Sequence, residues 1–209
     1  MKELHKSLLD ELVPCRCVVS PSRVQELPSA RISEFGSLLD DPTRVDVTFL
    51  VNNERIPAHR IILAARSTYF RTMFSSGMKE AQEGNDIIVQ DTSPAAFRAL
   101  LLYLYTDELA FDDSVELLVD VLCKAKELEL TRVANHCEQR CERGLSAQNA
   151  VLLLMQADEH GLEGLRKSAL RYLSRNLGTI RADSKGKDSL AKLAAEKPML
   201  MAEVMTAEV

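Results

Sequence analysis

One change of hydrophobic period governs what this chain can fold into. Over RVDVTFLV, residues 44 to 51, apolar side chains alternate with their neighbours, so Val45, Val47, Phe49 and Val51 share one face of a strand. Asn52 and Asn53 follow as a turn, and ERIPA returns as a second strand in which Pro57 suits an edge or a strand end. On the opposite face Asp46 stands with Thr48 and Leu50, an odd place for a carboxylate if that face is also covered. From His59 onward the spacing becomes helical, interrupted by Gly77, by Gly84-Asn85 and by a short apolar run, DIIVQD, that reads as a third strand. A hairpin and one short strand make a small sheet, so the rest of a folded chain must be mostly helix.

The helices announce themselves unevenly. Ser93 is placed to cap and Pro94 to occupy a first turn, after which Phe97, Leu100, Leu101 and Leu104 fall on one face. Asp113 with Glu116 opens a second helix, whose stripe of Leu117, Leu118, Val121, Leu122, Ala125 and Leu128 should be fully packed. A third runs from Thr131 to about Arg143 and stops at Gly144; Ser146 then caps a helix with Ala150, Leu153, Leu154 and Ala157 inward. Gly161 breaks it, and Leu162, Leu165, Ala169 and Tyr172 return as its partner, so residues 146 to 177 read as a helical hairpin. GTIRADSKGKDS is polar and reads as a loop, and LAKLAAEKPMLMAEVM supplies two short helices meeting near Pro198. Ahead of the strands, residues 1 to 30 carry one helical stretch and a proline-bearing segment without period, the pattern of a loosely docked arm. RISEFGSLLDD then forms a short helix with Ile32, Phe35 and Leu39 on one side, ended by Pro42.

Composition narrows the function. Aromatics are 5% and Trp is absent, so the core is built from Leu, Val, Ile and Ala, which suits helices. A net charge of −5, with Lys and Arg scattered among acids, gives no basic stripe for phosphates, and no nucleic-acid partner is expected. MKELHKSLLDELV puts charges where a signal peptide needs an apolar core, and ALLLYLY and AVLLLM are too short to span a bilayer. No membrane partner is expected, and the expected location is cytoplasmic, nuclear or both. Five cysteines without a secretory signal read as reduced thiols. Cys137 and Cys141 share a helical face beside His136, but no second ligand pair stands at matching spacing, so they are taken as small core residues and no metal or cofactor is expected. No nucleophile elbow, phosphate-cradling loop, zinc-protease spacing or thiol–base pair is found, so no catalytic residue is assigned and the chain is not expected to be an enzyme. His59 is taken as a neutral core histidine with a backbone hydrogen bond.

The stretches VDVTFLV, IPAHRIILAARSTYFRTMF, IIVQD and FRALLLYLYTDEL, in that order, resemble the BTB/POZ family. Downstream, GLSAQNAVLLLMQADEHGLEGLRKSALRYLSRNL and PMLMAEVM resemble the 3-box and short BACK helices that follow the BTB domain in speckle-type POZ adaptors, and together these cover residues 31 to 205. The resemblance implies an α+β, mostly helical fold: a BTB/POZ domain over 31–143, with a small sheet flanked by helices, and a helical 3-box/partial BACK region over 144–209. Members of that family dimerise and hold the cullin-3 scaffold of a ubiquitin ligase while a further domain, often MATH or Kelch, grips the substrate. The first thirty residues are too few and too poor in strand pattern to be MATH, so the substrate contact is either a short motif there or is replaced by pairing with other BTB proteins. Met78-Lys79-Glu80 matches the hydrophobic-x-Glu motif of cullin-binding BTB domains, and Leu128 stands where many adaptors carry a Tyr on the cullin-facing surface. Asp46 and Arg60 match a charged pair that lines the dimer groove of transcription-factor BTB proteins; an internal ion pair that steadies the fold explains them equally well. Ile32, Phe35, Leu38 and Leu39 fit a dimer interface, since residues just before a hairpin have little else to cover them. Two functions follow: a dimeric adaptor, homodimeric or heterodimeric, that recruits cullin-3 and presents an unidentified protein for ubiquitination, or a non-enzymatic interaction module, either a transcriptional or signalling scaffold or a regulator that forms heterodimers with other BTB adaptors.

Overall fold

The structure, a computed structural model, describes residues 35–39, 41, 43–76, 86–109 and 114–206. Strand β1 (Val47–Val51) pairs antiparallel with β2 (Glu54–Ala58), Phe49 opposite Ile56. Asn52 and Asn53 take φ of 47° and 67°, the left-handed pair that a two-residue hairpin turn demands. Strand β3 (Asp86–Val89) lies on the other side of β1, giving the order β2-β1-β3, and it runs parallel. A parallel neighbour needs a crossover, here supplied by α2 (Arg60–Arg66) and α3 (Thr68–Ser75). Ahead of the sheet, residues 35–37 are helical and are labelled α1. After the sheet come α4 (Pro94–Thr106), α5 (Val115–Glu127), α6 (Thr131–Arg143), α7 (Ala150–Glu159), α8 (Glu163–Ala182), α9 (Ser184–Glu196) and α10 (Pro198–Thr206). The fold is α+β and mostly helical, as the sequence implies.

Two cores result. Phe49 is the centre of the first, edge-on to Phe70 at 5.7 Å and to Phe97 at 5.0 Å, with Val47, Val51, Ile56 and Ile87 completing the inner sheet face. Helices α4 and α5 cover that face with Leu100, Leu101, Leu104, Leu118, Val121 and Leu122. The second core is aliphatic: Ala150, Val151 and Leu154 of α7 meet Leu173 and Ile180 of α8, Leu190 and Leu193 of α9, and Leu200 and Val204 of α10. Helix α7 turns Leu153 and Ala157 to the first core and its other side to the second. An uninterrupted apolar run such as AVLLLM is what a helix buried on both sides requires.

Some boundaries differ from the sequence reading. Ser93 caps α4 as expected, accepting from the Ala96 amide at 3.2 Å, and Asp120 of α5 holds the Ser93 amide and hydroxyl at 2.8 and 2.5 Å. Helix α5 is capped by Ser114, which accepts from the Leu117 amide at 3.3 Å; Asp113 lies outside the described residues. Asn149, not Ser146, borders α7: its Oδ1 accepts from the Ser146 amide and its Nδ2 donates to the Gly144 carbonyl, both at 2.8 Å. The largest correction is GTIRADSKGKDS, read as a loop and found almost wholly helical. Helix α8 passes Asn176, whose φ of −117° and ψ of 16° make a kink rather than an end, and continues to Ala182 because Ile180 is fully buried in the second core. Asp183 then caps α9, accepting from the Gly186 amide at 2.8 Å. A Cβ at Gly186 would stand 2.4 Å from the Ile180 carbonyl oxygen, so only glycine lets the two helices meet so closely. Packing and capping decide this segment against its polar composition.

Polar side chains close the second core. Arg166 of α8 donates to Asp158 of α7 at 3.1 Å and to Glu203 of α10 at 2.6 Å, while Lys197 reaches the other Asp158 oxygen at 3.0 Å. These donors hold the Asp158 carboxyl below its ordinary pKa, the Lys197 hydrogen bond most of all.

Candidate protein-interaction surfaces

Helices α1, α2 and α4 enclose an apolar groove of about 450 Å³, lined by Phe35, Ile61, Ile62, Ala65 and Leu104. Phe35 is 52% exposed and Ile61 77%, two of the five large hydrophobic residues left exposed among those described. The close seat of α1 on α4 depends on Gly36, where a Cβ would stand 3.1 Å from Thr106 Cγ2. Arg66 borders the groove, donating through Nε to the Leu104 carbonyl at 3.1 Å and pairing with Asp107.

The expected dimer residues separate here. Phe35 faces out, Leu38 is half-buried, and Leu39 is buried in the chain's own first core, where a turn closed by its amide on the Gly36 carbonyl at 3.1 Å carries it. The expectation that nothing in the subunit would cover this helix is therefore corrected for Leu39. Ile32 lies outside the described residues. Ile61 was missed, although its signal was present: Ile61, Ile62 and Leu63 are consecutive apolar residues on one helix, and they cannot all face inward.

Asp46 and Arg60 do come together, but not as a buried ion pair. Asp46 is exposed, and its Oδ1 accepts the Arg60 backbone amide at 2.7 Å. It thereby caps α2, whose own boundary residue, His59, makes no side-chain cap. The Arg60 Nε donates to the Asp46 carbonyl at 3.1 Å, and its guanidinium carbon sits 4.7 Å above the centre of the Phe74 ring. His59 is buried: Tyr105 Oη takes its backbone amide and meets its Nδ1, both at 2.9 Å, and Nε2 points to the Thr43 carbonyl at 3.4 Å. These roles fit a ring with its proton on Nε2. Burial pushes the Tyr105 hydroxyl up to about 12, so it serves as a hydrogen-bonding post.

A second groove, of about 310 Å³, opens between α3, β3 and the C-terminal end of α5, with Tyr69, Met73, Gln90, Lys124, Glu127 and Leu128 in its lining. Leu128 is 4% exposed and forms part of the floor rather than a raised apolar contact. Met78 and Glu80 lie outside the described residues. Lys124 is buried beneath this groove, donating to the Gln90 carbonyl at 2.7 Å and pairing with Glu127. On α6, Cys137 and Cys141 are buried and His136 is exposed. Burial pushes the two thiols to about 12 and about 11, so neither is poised as a thiolate ligand or nucleophile.

These features can be set beside known proteins. Residues 35–145 match the family model of the BTB/POZ domain. The chain is 31% identical over 204 residues to Arabidopsis thaliana BTB/POZ and MATH domain-containing protein 6, covering 85% of this chain and 49% of that protein. It is 35% identical over 161 residues to human BTB/POZ domain-containing protein 9, covering 77% of this chain and 26% of that protein. The chain thus spans half or less of these relatives' length. Among solved structures it is similar to the BTB domain of zebrafish PATZ1, with 27% identity and a TM-score of 0.45 over 56% of this chain and 92% of that one. No described helix is long and apolar enough to cross a membrane.

Proposed function

The chain belongs to the BTB/POZ family, and from that premise we propose that it is a dimeric, non-catalytic adaptor that binds cullin-3 and brings a protein substrate to be ubiquitinated. A BTB/POZ domain is a protein-interaction module, not a catalytic fold. The observation that carries the reading is the joint exposure of Phe35 and Ile61 on one apolar groove. Covering a large apolar side chain is worth roughly 1.5–3 kcal/mol, and a two-fold contact covers the same pair on both subunits at once. The occupant proposed for this face is a second BTB chain, first of all another copy, and Asp46 and Arg60 stand at the start of the helix that carries Ile61.

The cullin-3 step rests on sequence pattern. Met78-Lys79-Glu80 has the hydrophobic-x-Glu form, and Leu128 belongs to the floor of the second groove. Kinship with a protein named for both BTB/POZ and MATH domains supports the same class. We take α7 to α10 as part of the 3-box/partial BACK extension that the sequence resemblance implies over 144–209. Such a protein acts by proximity, because linked sites raise the effective concentration of what they hold without further contacts.

Capture of purified cullin-3 N-terminal region by the full chain tests the reading. Wild type is expected to retain it, and Met78→Ala with Glu80→Ala to abolish retention. Capture that survives both changes places the contact elsewhere. A chain that dimerises without any capture is an interaction module that pairs with other BTB proteins, the competing function.

A further inference from the structure

One buried hydroxyl ties together the two helices that wall the apolar groove. His59 is the boundary residue of α2, and its carbonyl accepts the Ile62 and Leu63 amides at 3.1 and 3.2 Å, so its position sets where that helix begins. Its own amide is held by Tyr105 Oη of α4 at 2.9 Å. The same oxygen meets Nδ1 of the His59 ring at 2.9 Å, and both residues are buried. Ile61 and Ile62 of α2 and Leu104 and Tyr105 of α4 line the groove, so this hydroxyl fastens its two walls to each other.

The fastening works in one protonation state. A backbone amide can only donate, so Tyr105 Oη accepts from it and gives its single hydrogen to Nδ1, which must be bare. The ring proton then sits on Nε2, toward the Thr43 carbonyl at 3.4 Å. A second proton turns Nδ1 into a donor. Tyr105 Oη then faces two N–H groups, and its own hydrogen is left without that acceptor in a buried place, a cost that folded proteins avoid. The phenol cannot escape by ionising, since burial holds it at about 12. A histidine ring ordinarily takes up this proton as pH falls from about 8 to about 5. Among the described residues, the charged groups around the pair come from three segments. Asp41, with Arg44 near it, lies close enough to feel a charge on His59; Asp46, joined to Arg60 at the start of α2, acts on Tyr105; and Tyr105 itself comes from α4. The Thr43 amide and hydroxyl hold the Asp41 carboxyl below its ordinary value, so it stays charged throughout that range.

We propose that a proton on His59 Nδ1 breaks the tie to Tyr105 and loosens α2 from α4, so that the apolar face carrying Ile61 is a contact that mild acid releases. The rearrangement follows from the hydrogen bonds alone; its consequence for assembly rests on the dimeric reading proposed above.

The test follows the full chain from about pH 7.5 to about pH 5.5 by NMR of the histidine rings and isoleucine methyls, with the dimer dissociation constant measured over the same range. His136 and His160, both exposed, are the internal controls. The Ile61 and Ile62 methyls should move with the His59 ring rather than with either control, and the dissociation constant should rise by about fivefold or more as pH falls. His59→Gln should remove this response. Tyr105→Phe, which lacks the hydroxyl, should dissociate more readily at the higher pH and change little in acid. A His59 ring that takes up no proton in this range, methyls that ignore its titration, a dissociation constant that does not rise, or an acid response that survives either substitution overturns the proposal. A chain that is monomeric at every pH while its methyls follow His59 overturns the dimeric reading alone; a dimer indifferent to His59 overturns this one alone.

Discussion

The core around the sheet and the core between α7 and α10 share two helices, α7 and α8, and differ in the polar contacts at their borders. Around the sheet, Phe49 meets Phe70 and Phe97 edge to face, and the border carries caps from distant segments, Asp120 on Ser93, Tyr105 on His59 and Asp46 on Arg60, beside separate ion pairs such as Arg66 with Asp107 and Arg98 with Glu54. Between the later helices the side chains are aliphatic, and the closure is ionic, Asp158 taking Arg166 and Lys197 while Arg166 also holds Glu203. The first core leaves Phe35, Ile61 and Ile88 exposed on its surface. The ring-filled interior underlies that apolar surface; the later helices are a smaller body joined to it through Leu153 and Ala157 of α7 and Leu165 of α8.

The sharpest way to break this comparison is to empty the first core. Phe49→Ala is expected to cost about 3–5 kcal/mol and, since α7 seats on that core, to unfold the chain as a whole in one thermal transition followed by circular dichroism. Leu173→Ala removes an aliphatic plug of the second core at about 2–5 kcal/mol, with a different signature. Hydrogen exchange should rise first in α9 and α10 while the sheet stays protected. Equal loss of protection in both regions would merge the two cores into one cooperative unit.

A smaller effect separates the two closures by pH. Because the Asp158 carboxyl has a lowered folded-state pKa, its contribution is fully present above the ordinary value of 3.8 and is lost as pH falls through the lowered one. Asp158→Asn should destabilise by about 1 kcal/mol or less at neutral pH, as partly exposed pairs do, and should flatten the acid dependence of α8–α10 protection below 3.8. An unchanged acid profile would show that the ionic closure contributes nothing.

How far each region could be read in advance follows from where its determinants lie. The hairpin was legible because Val47, Phe49 and Val51 alternate and Asn52-Asn53 sit where only a left-handed turn fits; Ser93-Pro94 marked α4 by local capping alone. The helical nature of GTIRADSKGKDS was not legible, because the buried side chain that enforces it, Ile180, is one residue in a polar dozen and its partners lie on other helices. At the candidate site, the apolar residues before the hairpin were legible as a group. Which of them turned inward was not, since contact with α4 at Gly36 and Thr106 separates Phe35 from Leu39. The capping role of Asp46 spans fourteen residues and is tertiary, so the pairing could be anticipated while its geometry could not.

The smallest expected change in subunit stability carries the largest consequence for function. Ile61→Glu alters a 77% exposed position, so within the subunit it should matter by no more than about 0.5 kcal/mol. It puts a charge into the face that a second copy is proposed to cover. Light scattering of the purified chain and of this variant, at equal micromolar concentration, measures the claim directly: wild type should weigh twice the 23.3 kDa of one chain and Ile61→Glu should weigh one. A wild-type monomer, or a variant that remains a dimer, would contradict it.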